Sequence, residues 1–526
     1  MAAPRPRFKP DPPRWNPLQR VLVFPGEAEN GMTRWLVAAI ASALVALSVW
    51  QLERPRAGLA ITPLAIADGP PATLFHLRGA VPAPVVVIAH GFAGSRQLME
   101  PFALTLARAG YTVVTFDALG HGRNPRPMSG DVTSVDGTTR LMVDELRTVA
   151  RAALALPQAD GRLAYLGHSM ASDLVIRAAQ DAPEASAVIA VSMFSQAITP
   201  DSPPNLLVIP GEWETRLRQE GLRALRLTDP AASEGDSVGD MAQGTARRVV
   251  VAPSVEHVGV LYSATARRAA TDWLNTALGR DLPPQTDARG GWILLLLASV
   301  TALGWPLTAL LPQGQGRRSP IPARSFRTAT LAPAILTPLL LAPFDTRFLP
   351  VLVADYLALH FALYGALTLA LLHRADRLTG QFPARVAVLS LAPAIFGILI
   401  LGTALDRYVA SFVPDAGRAV IILALALGTV PFFLADALLT EGGRASVLRT
   451  LAARGAFLGS LVAAVALDFD RLMFLLIILP VILLFFLLFG TLAGWIGRRT
   501  GLPAIAGLGF GLTLAWALGV TFPLFA

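Results

Sequence analysis

The sequence predicts a protein of two parts, an α/β doubly wound domain and an all-α transmembrane helical domain. Hydrophobic residues make up 53% of the 526 residues and charged residues only 15%, whereas soluble domains carry about 25% charged residues. Long apolar stretches are confined to 34–52 and to the part after 290. Between them, short apolar strands alternate with amphipathic helices, which predicts a parallel sheet with helices on both faces.

The N-terminal part divides into a tail and an anchor. Residues 1–33 are rich in Pro and Arg and lack apolar periodicity, so we expect a disordered basic tail. Residues 34–52 are apolar, and Trp35 and Trp50 are placed like residues of a membrane interface. We interpret this stretch as an uncleaved transmembrane anchor; a signal peptide is the alternative.

Residues 57–285 form the predicted soluble domain and residues 290–526 the predicted membrane domain. Apolar stretches in the membrane domain predict about eight helices, most of them near the ~20 residues that cross a bilayer. The predicted spans are 291–311, 328–343, 348–372, 386–404, 419–440, 455–468, 472–496 and 503–525.

The distribution of charge predicts an orientation in the membrane. The net charge is +8, but residues 53–289 hold 22 basic and 24 acidic groups, which argues against a nucleic-acid partner. Basic residues instead flank the spans, twelve in one set of alternate loops and four in the other. The twelve are Arg317, Arg318, Arg324, Arg327, Arg374, Arg377, Arg385, Arg444, Arg449, Arg454, Arg498 and Arg499; the four are Arg347, Arg407, Arg418 and Arg471. Arginine-rich loops stay in the cytoplasm, so we expect a cytoplasmic N-terminus and an extracytoplasmic soluble domain.

Two further features of composition limit the chemistry and the source. The chain has no cysteine, which excludes disulfides, thiolate zinc sites, iron–sulfur clusters and a cysteine nucleophile. Lys9 is the only lysine among 44 basic residues, which indicates a GC-rich, bacterial genome. We therefore expect a multi-pass protein of the bacterial inner membrane.

A serine lies at a strand–helix junction of the soluble domain. Residues 162–166 predict a strand, which leads into Gly167-His-Ser169-Met-Ala171, and a helix starts at once. Small residues on both sides of Ser169 permit a strained turn that exposes the hydroxyl. An earlier buried strand, 84–89, ends in His90-Gly91.

These motifs, in this order, resemble the α/β-hydrolase superfamily, and serine esterases and lipases in particular. The resemblance covers about 60–280. Gly167-x-Ser169-x-Ala171 is similar to the family's nucleophile elbow, with Ala171 in place of the usual second glycine. The resemblance implies that Ser169 is the nucleophile. It also implies that the backbone N–H groups of Phe92 and Met170 form the oxyanion hole.

The family's chain order is serine, then acid, then histidine. His257, on the loop after the last predicted strand, matches the family's base. The family places its acid three residues past a glycine at a strand end, which here is Gly211 and implies Glu214. Glu212 is the alternative acid. This machinery requires no metal and no cofactor.

The cleft lacks an inserted cap. Only about ten residues separate Phe194 from Asn205, where many lipases of this fold carry a helical cap. We expect an open cleft, or one roofed by the membrane, by residues 123–137 or by residues 227–247, a stretch that its composition predicts to be a flexible loop.

We therefore expect a membrane-integral serine hydrolase that cleaves an ester, thioester or amide through an acyl-serine intermediate. Its expected partners are the lipid bilayer and a small acyl or lipidic substrate of the cell envelope. An acyltransferase or peptidase of the same fold is an alternative, and so is a catalytically silent interaction module. A transporter or channel is another, because Asp355, His360 and Asp436 fall in predicted spans. Interhelical hydrogen bonds or helix ends would also explain these three residues. The oligomeric state is not predicted.

Overall fold

The computed structural model describes residues 31–131, 134–314, 319–351 and 353–525. Nearly all of the predicted basic tail, and Arg317 and Arg318 of the charge count, lie outside the described residues. The first helix, α1, spans Gly31–Glu53 and begins three residues before the predicted anchor.

The soluble domain is built on a nine-stranded sheet with the order β1-β2-β4-β3-β5-β6-β7-β9-β8. The strands are β1 Leu59–Leu64, β2 Ala72–Leu77, β3 Ala83–Ala89, β4 Thr112–Phe116, β5 Ala159–His168, β6 Ala185–Val191, β7 Leu206–Ile209, β8 Ser237–Val238 and β9 Arg247–Val249. Strands β3 to β7 and β9 are parallel, which confirms the doubly wound centre. The sheet is mixed, however, because β1, β2 and β8 pair antiparallel at its edges.

Helices cover both faces of the sheet, as an apolar strand such as β3 requires. Val85 and Val87 of this strand pack into one hydrophobic core, and Val86 and Ile88 pack into the other. The first core is closed by α3 (Arg140–Leu154), α4 (Met170–Gln180) and α5 (Thr215–Arg226); the second is closed by α2 (Glu100–Arg108) and α6 (Ala264–Ala277). All parallel strands end at one edge, so the loops that follow them lie side by side.

The C-terminal part, which is the predicted membrane domain, contains eight long helices among its described residues. They are α7 Arg289–Leu307, α8 Ala323–Leu341, α9 Ala354–Arg374, α10 Arg385–Tyr408, α11 Ala416–Leu439, α12 Val447–Leu467, α13 Leu475–Thr500 and α14 Pro503–Thr521. Among the described residues, α1 and all of these except α8 are long and apolar enough to cross a membrane. Helix α8 is less apolar because it holds Arg324 and Arg327.

Each ionisable residue that sequence reasoning singled out in the membrane domain has a local partner. Asp355 lies in the first turn of α9, where it accepts hydrogen bonds from two backbone amides. His360 Nε2 lies 3.1 Å from Ser460 Oγ of α12. Asp436 forms an ion pair with Arg454 at 3.0 Å. Asp355 therefore caps a helix end, and His360 and Asp436 each form a contact between two helices.

The carboxyl edge of the sheet faces the membrane domain. The amide of Ser411, between α10 and α11, donates to Ser95 Oγ at 3.0 Å. Arg418 of α11 donates to the carbonyl of Gly120, in the loop after β4, also at 3.0 Å. The last residues of the chain run between the two domains, where Leu524 donates to the Gly120 carbonyl at 2.8 Å. The loops after β3 and β4 therefore rest on the membrane domain.

Residues 227–247 do not roof this edge. They include β8, which pairs with β9 at the end of the sheet. The side chain of Asn205 donates to the carbonyl of Met241, at the amino end of β7. Of the alternative roofs considered for the cleft, residues 227–247 are therefore not supported, and Ser237 and Val238 within this stretch form a short antiparallel strand.

Candidate active site

Ser169 occupies a strained turn between β5 and α4. The strand ends at His168 and the helix begins at Met170, so Ser169 alone reverses the chain, with φ 55° and ψ −119°. A Cβ atom at Gly167 would lie 2.3 Å from the carbonyl oxygen of Ala171, so only glycine fits there. Backbone strain of this kind costs about 1–3 kcal/mol and persists where neighbouring packing enforces it.

The structure brings Ser169, His257 and Glu214 into one hydrogen-bonded chain. Ser169 Oγ lies 2.8 Å from His257 Nε2, and His257 Nδ1 lies 2.5 Å from Glu214 Oε1. The second carboxylate oxygen, Oε2, accepts from the amide of Gly211 at 2.6 Å and from Ser192 Oγ at 2.7 Å. Both oxygens of Glu214 are therefore held by donors.

These donors keep Glu214 ionised. Burial raises the pKa of this carboxyl, but hydrogen bonds from His257, Gly211 and Ser192 outweigh burial, and the net pKa lies below its ordinary value. An ionised Glu214 accepts only, so His257 Nδ1 carries the proton in the bond between them. The other imidazole nitrogen, Nε2, is then free to accept the Ser169 hydroxyl proton.

The alternative acid lies elsewhere. Glu212 is exposed, and its Oε2 accepts from the backbone amide of Ser254 at 2.6 Å. Glu256, the neighbour of His257, accepts from the amides of Val258 and Gly259. Both carboxylates shape the loop that carries His257, and neither is hydrogen-bonded to its imidazole.

Two supporting residues were missed by the sequence reasoning. His168 Nε2 lies 2.8 Å from the carbonyl oxygen of His257, so its N–H donates to the loop of the base. Burial, together with the nearby His257 imidazole, lowers the pKa of His168 to about 4, and the ring is neutral. Ser192 follows β6 with φ 50° and directs its hydroxyl to Glu214. The position of His168 directly before Ser169 was the available signal.

Two backbone amides near the serine are available as hydrogen-bond donors. Among the described residues, the N–H groups of Phe92 and Met170 have no hydrogen-bond partner. The Met170 amide begins α4, where the helix dipole favours negative charge. A Cβ atom at Gly91 would lie 3.0 Å from Ser169 Cβ, so the loop after β3 runs directly beside the serine. The predicted oxyanion residues are thus adjacent to Ser169.

Buried side chains fix the Phe92 loop. His90 Nδ1 lies 2.8 Å from the carbonyl of Gly91, and its Nε2 accepts from the amide of Ala118 at 3.1 Å. Burial lowers the pKa of His90, so the ring stays neutral and can accept this bond. Asp117, at the end of β4, accepts from both the amide and the guanidinium of Arg96 at 2.8 Å. The loops after β3 and β4 are therefore tied together.

The site is open and holds no candidate metal cluster. The His257 side chain is 43% exposed. Within the described ranges, no group of three or more His, Asp or Glu side chains is arranged to hold a metal ion. The geometry offers a hydroxyl, a base, an orienting carboxylate and two amide donors, which are the groups that acyl transfer to serine requires.

Comparison with known proteins places the resemblance in the soluble domain. Residues 80–228 match the family model described as serine aminopeptidase, S33. No curated protein matches the chain. Similar solved structures include dienelactone hydrolase from Anabaena variabilis, at 20% identity over 42% of this chain and 97% of that one, TM-score 0.30. The Pyrococcus furiosus esterase is 16% identical over 44% of this chain and 94% of the esterase chain, with a TM-score of 0.32. The soluble domain has the α/β-hydrolase fold, and the C-terminal part is a domain of apolar helices.

Proposed function

We propose that this protein is a membrane-integral serine hydrolase that cleaves a carboxylic ester, with thioesters and amides as related substrates. The observation that carries the proposal is the chain Ser169–His257–Glu214, with bonds of 2.8 and 2.5 Å, beside two unpartnered amides. The match to a hydrolase family over residues 80–228 supports it.

In the proposed reaction, His257 Nε2 removes the proton of the Ser169 hydroxyl while Oγ attacks the substrate carbonyl carbon. The carbonyl oxygen becomes an oxyanion, which accepts from the amides of Phe92 and Met170; each such donor is typically worth about 3 kcal/mol in the transition state. Glu214 stabilises the imidazolium through Nδ1–H.

Collapse of this intermediate breaks the bond to the leaving alcohol, which takes the proton from His257 Nε2. An acyl-Ser169 ester remains. His257 then removes a proton from water, the hydroxide attacks the acyl carbon, and collapse returns the proton to Ser169 and releases a carboxylic acid.

The membrane location is part of the proposal. Eight helices of the described part are long and apolar enough to cross a bilayer. With α8 counted as a span, as in the sequence prediction, the excess of loop arginines on the side away from the soluble domain supports an extracytoplasmic hydrolase domain in a cell membrane. The substrate would then come from the envelope.

The test is covalent labelling of the purified full chain with a fluorophosphonate probe, beside hydrolysis of p-nitrophenyl acetate. Wild type should be labelled and should hydrolyse the ester. Ser169→Ala should lose both, with its melting temperature nearly unchanged because only one partly exposed hydroxyl is removed. Wild-type activity in Ser169→Ala would refute the assignment of the nucleophile.

A serine aminopeptidase is the second candidate, because the matched family model carries that description. Hydrolysis of aminoacyl p-nitroanilides with a free α-amino group, compared with their N-acetylated forms, distinguishes the two. An aminopeptidase requires the free amine, whereas an esterase favours p-nitrophenyl esters over both anilides.

A further inference from the structure

An apolar crevice lies between the Phe92 loop, which follows β3, and the membrane domain. It is lined by Phe92 and Ala93 of the soluble domain and by membrane-domain side chains that include Phe474, Ile478, Leu518 and Phe522. The rings of Phe92 and Phe474 lie 5.2 Å apart across it. Its free volume is about 40 Å³, and Thr521 is its one polar lining residue among those described.

The position of the crevice relates it to the reacting atoms. Phe92 lies in the loop beside Ser169 and supplies one of the two available amides, so in the proposed reaction a group bound at the carbonyl carbon of a substrate begins next to this residue. In the sheet, β3, which leads to Phe92, and β9, which precedes His257, lie on opposite sides of β5. A leaving group that takes its proton from His257 therefore departs on the other side. The acyl group is therefore expected on the side of the crevice.

The crevice also reaches an exposed residue of the predicted membrane domain. Helix α13 supplies Ile478 and Val481 to its lining, and Val481 is exposed on the outer surface of the membrane domain. The crevice thus leads from an exposed part of α13 to the loop that carries Phe92. An aliphatic chain could follow this route without leaving an apolar environment, whereas a charged or sugar-like group would lose its hydration there.

We propose that this crevice binds the aliphatic acyl chain of the substrate, an ester lipid that enters from the bilayer leaflet next to the soluble domain. The inference rests on the proposed serine hydrolase activity and names its substrate class. The free volume holds only one or two methylene groups, so the first carbons of the chain are enclosed and the rest lies along α13 toward lipid. Each buried methylene favours binding by roughly 4-fold.

The test compares p-nitrophenyl decanoate with p-nitrophenyl acetate, using the full chain purified in one detergent. Ile478→Trp fills the crevice and should lower the decanoate-to-acetate ratio of kcat/KM by about 15-fold, the value of two methylenes. Leu487→Trp is the matched control, since Leu487 lies on the same helix, is exposed and is not part of the crevice lining. Its ratio should stay within about 2-fold of wild type, as a substitution away from the site changes little.

A second variant works in the opposite direction. Phe474→Ala enlarges the crevice and should move the preferred acyl length toward longer chains, which keeps the proposal testable if Ile478→Trp does not fold. An unchanged ratio in Ile478→Trp, or an equal fall in Leu487→Trp, would overturn the acyl-chain site while acetate hydrolysis left the proposed function intact. Loss of acetate hydrolysis and of probe labelling in wild type would overturn both.

Discussion

Arg123, in the loop after β4, donates from one guanidinium nitrogen to both carboxylate oxygens of Asp406, at the end of α10, at 2.7 Å each. The amide of Arg123 also donates to Asp117, which holds the Arg96 end of the Phe92 loop. The ion pair therefore connects the membrane domain to the loops that border the serine. Its side chains are 34% and 24% exposed, so water screens it only in part.

Asp406→Asn should lower the melting temperature of the full chain. Asparagine keeps an acceptor for the Phe412 amide but removes the charge that Arg123 pairs with. A partly exposed ion pair is worth about 1 kcal/mol, or about 2–4 °C for a cooperative unit of 150–250 residues. The measurement is thermal unfolding in detergent.

The matched control for this measurement is Asp345→Asn. Asp345 pairs with Arg347 within one exposed loop of the membrane domain, so its loss does not separate two domains. This variant should melt within about 1 °C of wild type, as exposed pairs contribute little. Equal melting temperatures for both variants would mean that the Arg123–Asp406 pair does not hold the domains together.

Glu214→Gln should lower turnover by at least about 100-fold, and Glu212→Gln by less than about 5-fold. Glu214 contacts the imidazole of His257 and stabilises its charge, whereas Glu212 contacts only the Ser254 amide, which a Gln oxygen still accepts. The measurement is kcat on p-nitrophenyl acetate at saturating substrate. If kcat falls strongly in Glu212→Gln but not in Glu214→Gln, Glu214 is not the acid that orients His257.

Sequence reasoning could propose Ser169, His257 and Glu214 because each of these residues follows the end of a strand. The tight turn at Ser169 requires Gly167, and Glu214 stands three residues after Gly211. Both are short patterns that can be read from neighbouring residues in the sequence. Ser192 and His168 were missed because their roles depend on what lies across the sheet edge. No local pattern records that His168 reaches a carbonyl 89 residues later.

The arrangement of the two domains also depends on contacts between residues that are distant in the sequence. Apolar length and strand alternation predict the two parts, since both are properties of short segments. The placement of the Phe92 loop against α13 depends on contacts between residues almost 400 positions apart, such as Phe92 and Phe474. The antiparallel edge strand β8 was missed because it is only two residues long.

A reporter inserted after Gly279 should be active only if it is of the extracytoplasmic type. The loop arginines that sequence analysis counts divide twelve to four, with the four on the side of the soluble domain. All four pair with acids: Arg347 with Asp345, Arg407 with Glu53, Arg418 with Asp415 and Arg471 with Asp468. Gly279 is exposed, and a side chain there would meet no atom, so an insertion is tolerated. Activity of a cytoplasmic reporter at this position would reverse the orientation.

Acid should destabilise the soluble domain through His121, whose ring is buried next to His90 and Phe92. Burial, together with His90, lowers the pKa of His121 to about 3, against about 6.5 in the unfolded chain. Between these two values the unfolded chain binds the proton and the folded chain does not, so stability falls as the pH falls below about 6.5.

His121→Asn should therefore reduce the acid sensitivity of the fold. The asparagine amide still donates to the Leu119 carbonyl that His121 contacts at 2.7 Å, but it does not titrate. From pH 7 to pH 5, His121 alone removes about 2 kcal/mol of stability, and the variant should be spared this loss. Loss of ring contacts with Phe92 lowers the variant's stability equally at both pH values, so the readout is the difference between them. The measurement is denaturant unfolding of the full chain at pH 7 and pH 5. If wild type and variant lose the same stability across this range, the proton taken up on unfolding belongs to other groups, of which buried His168 is the first to test by the same substitution.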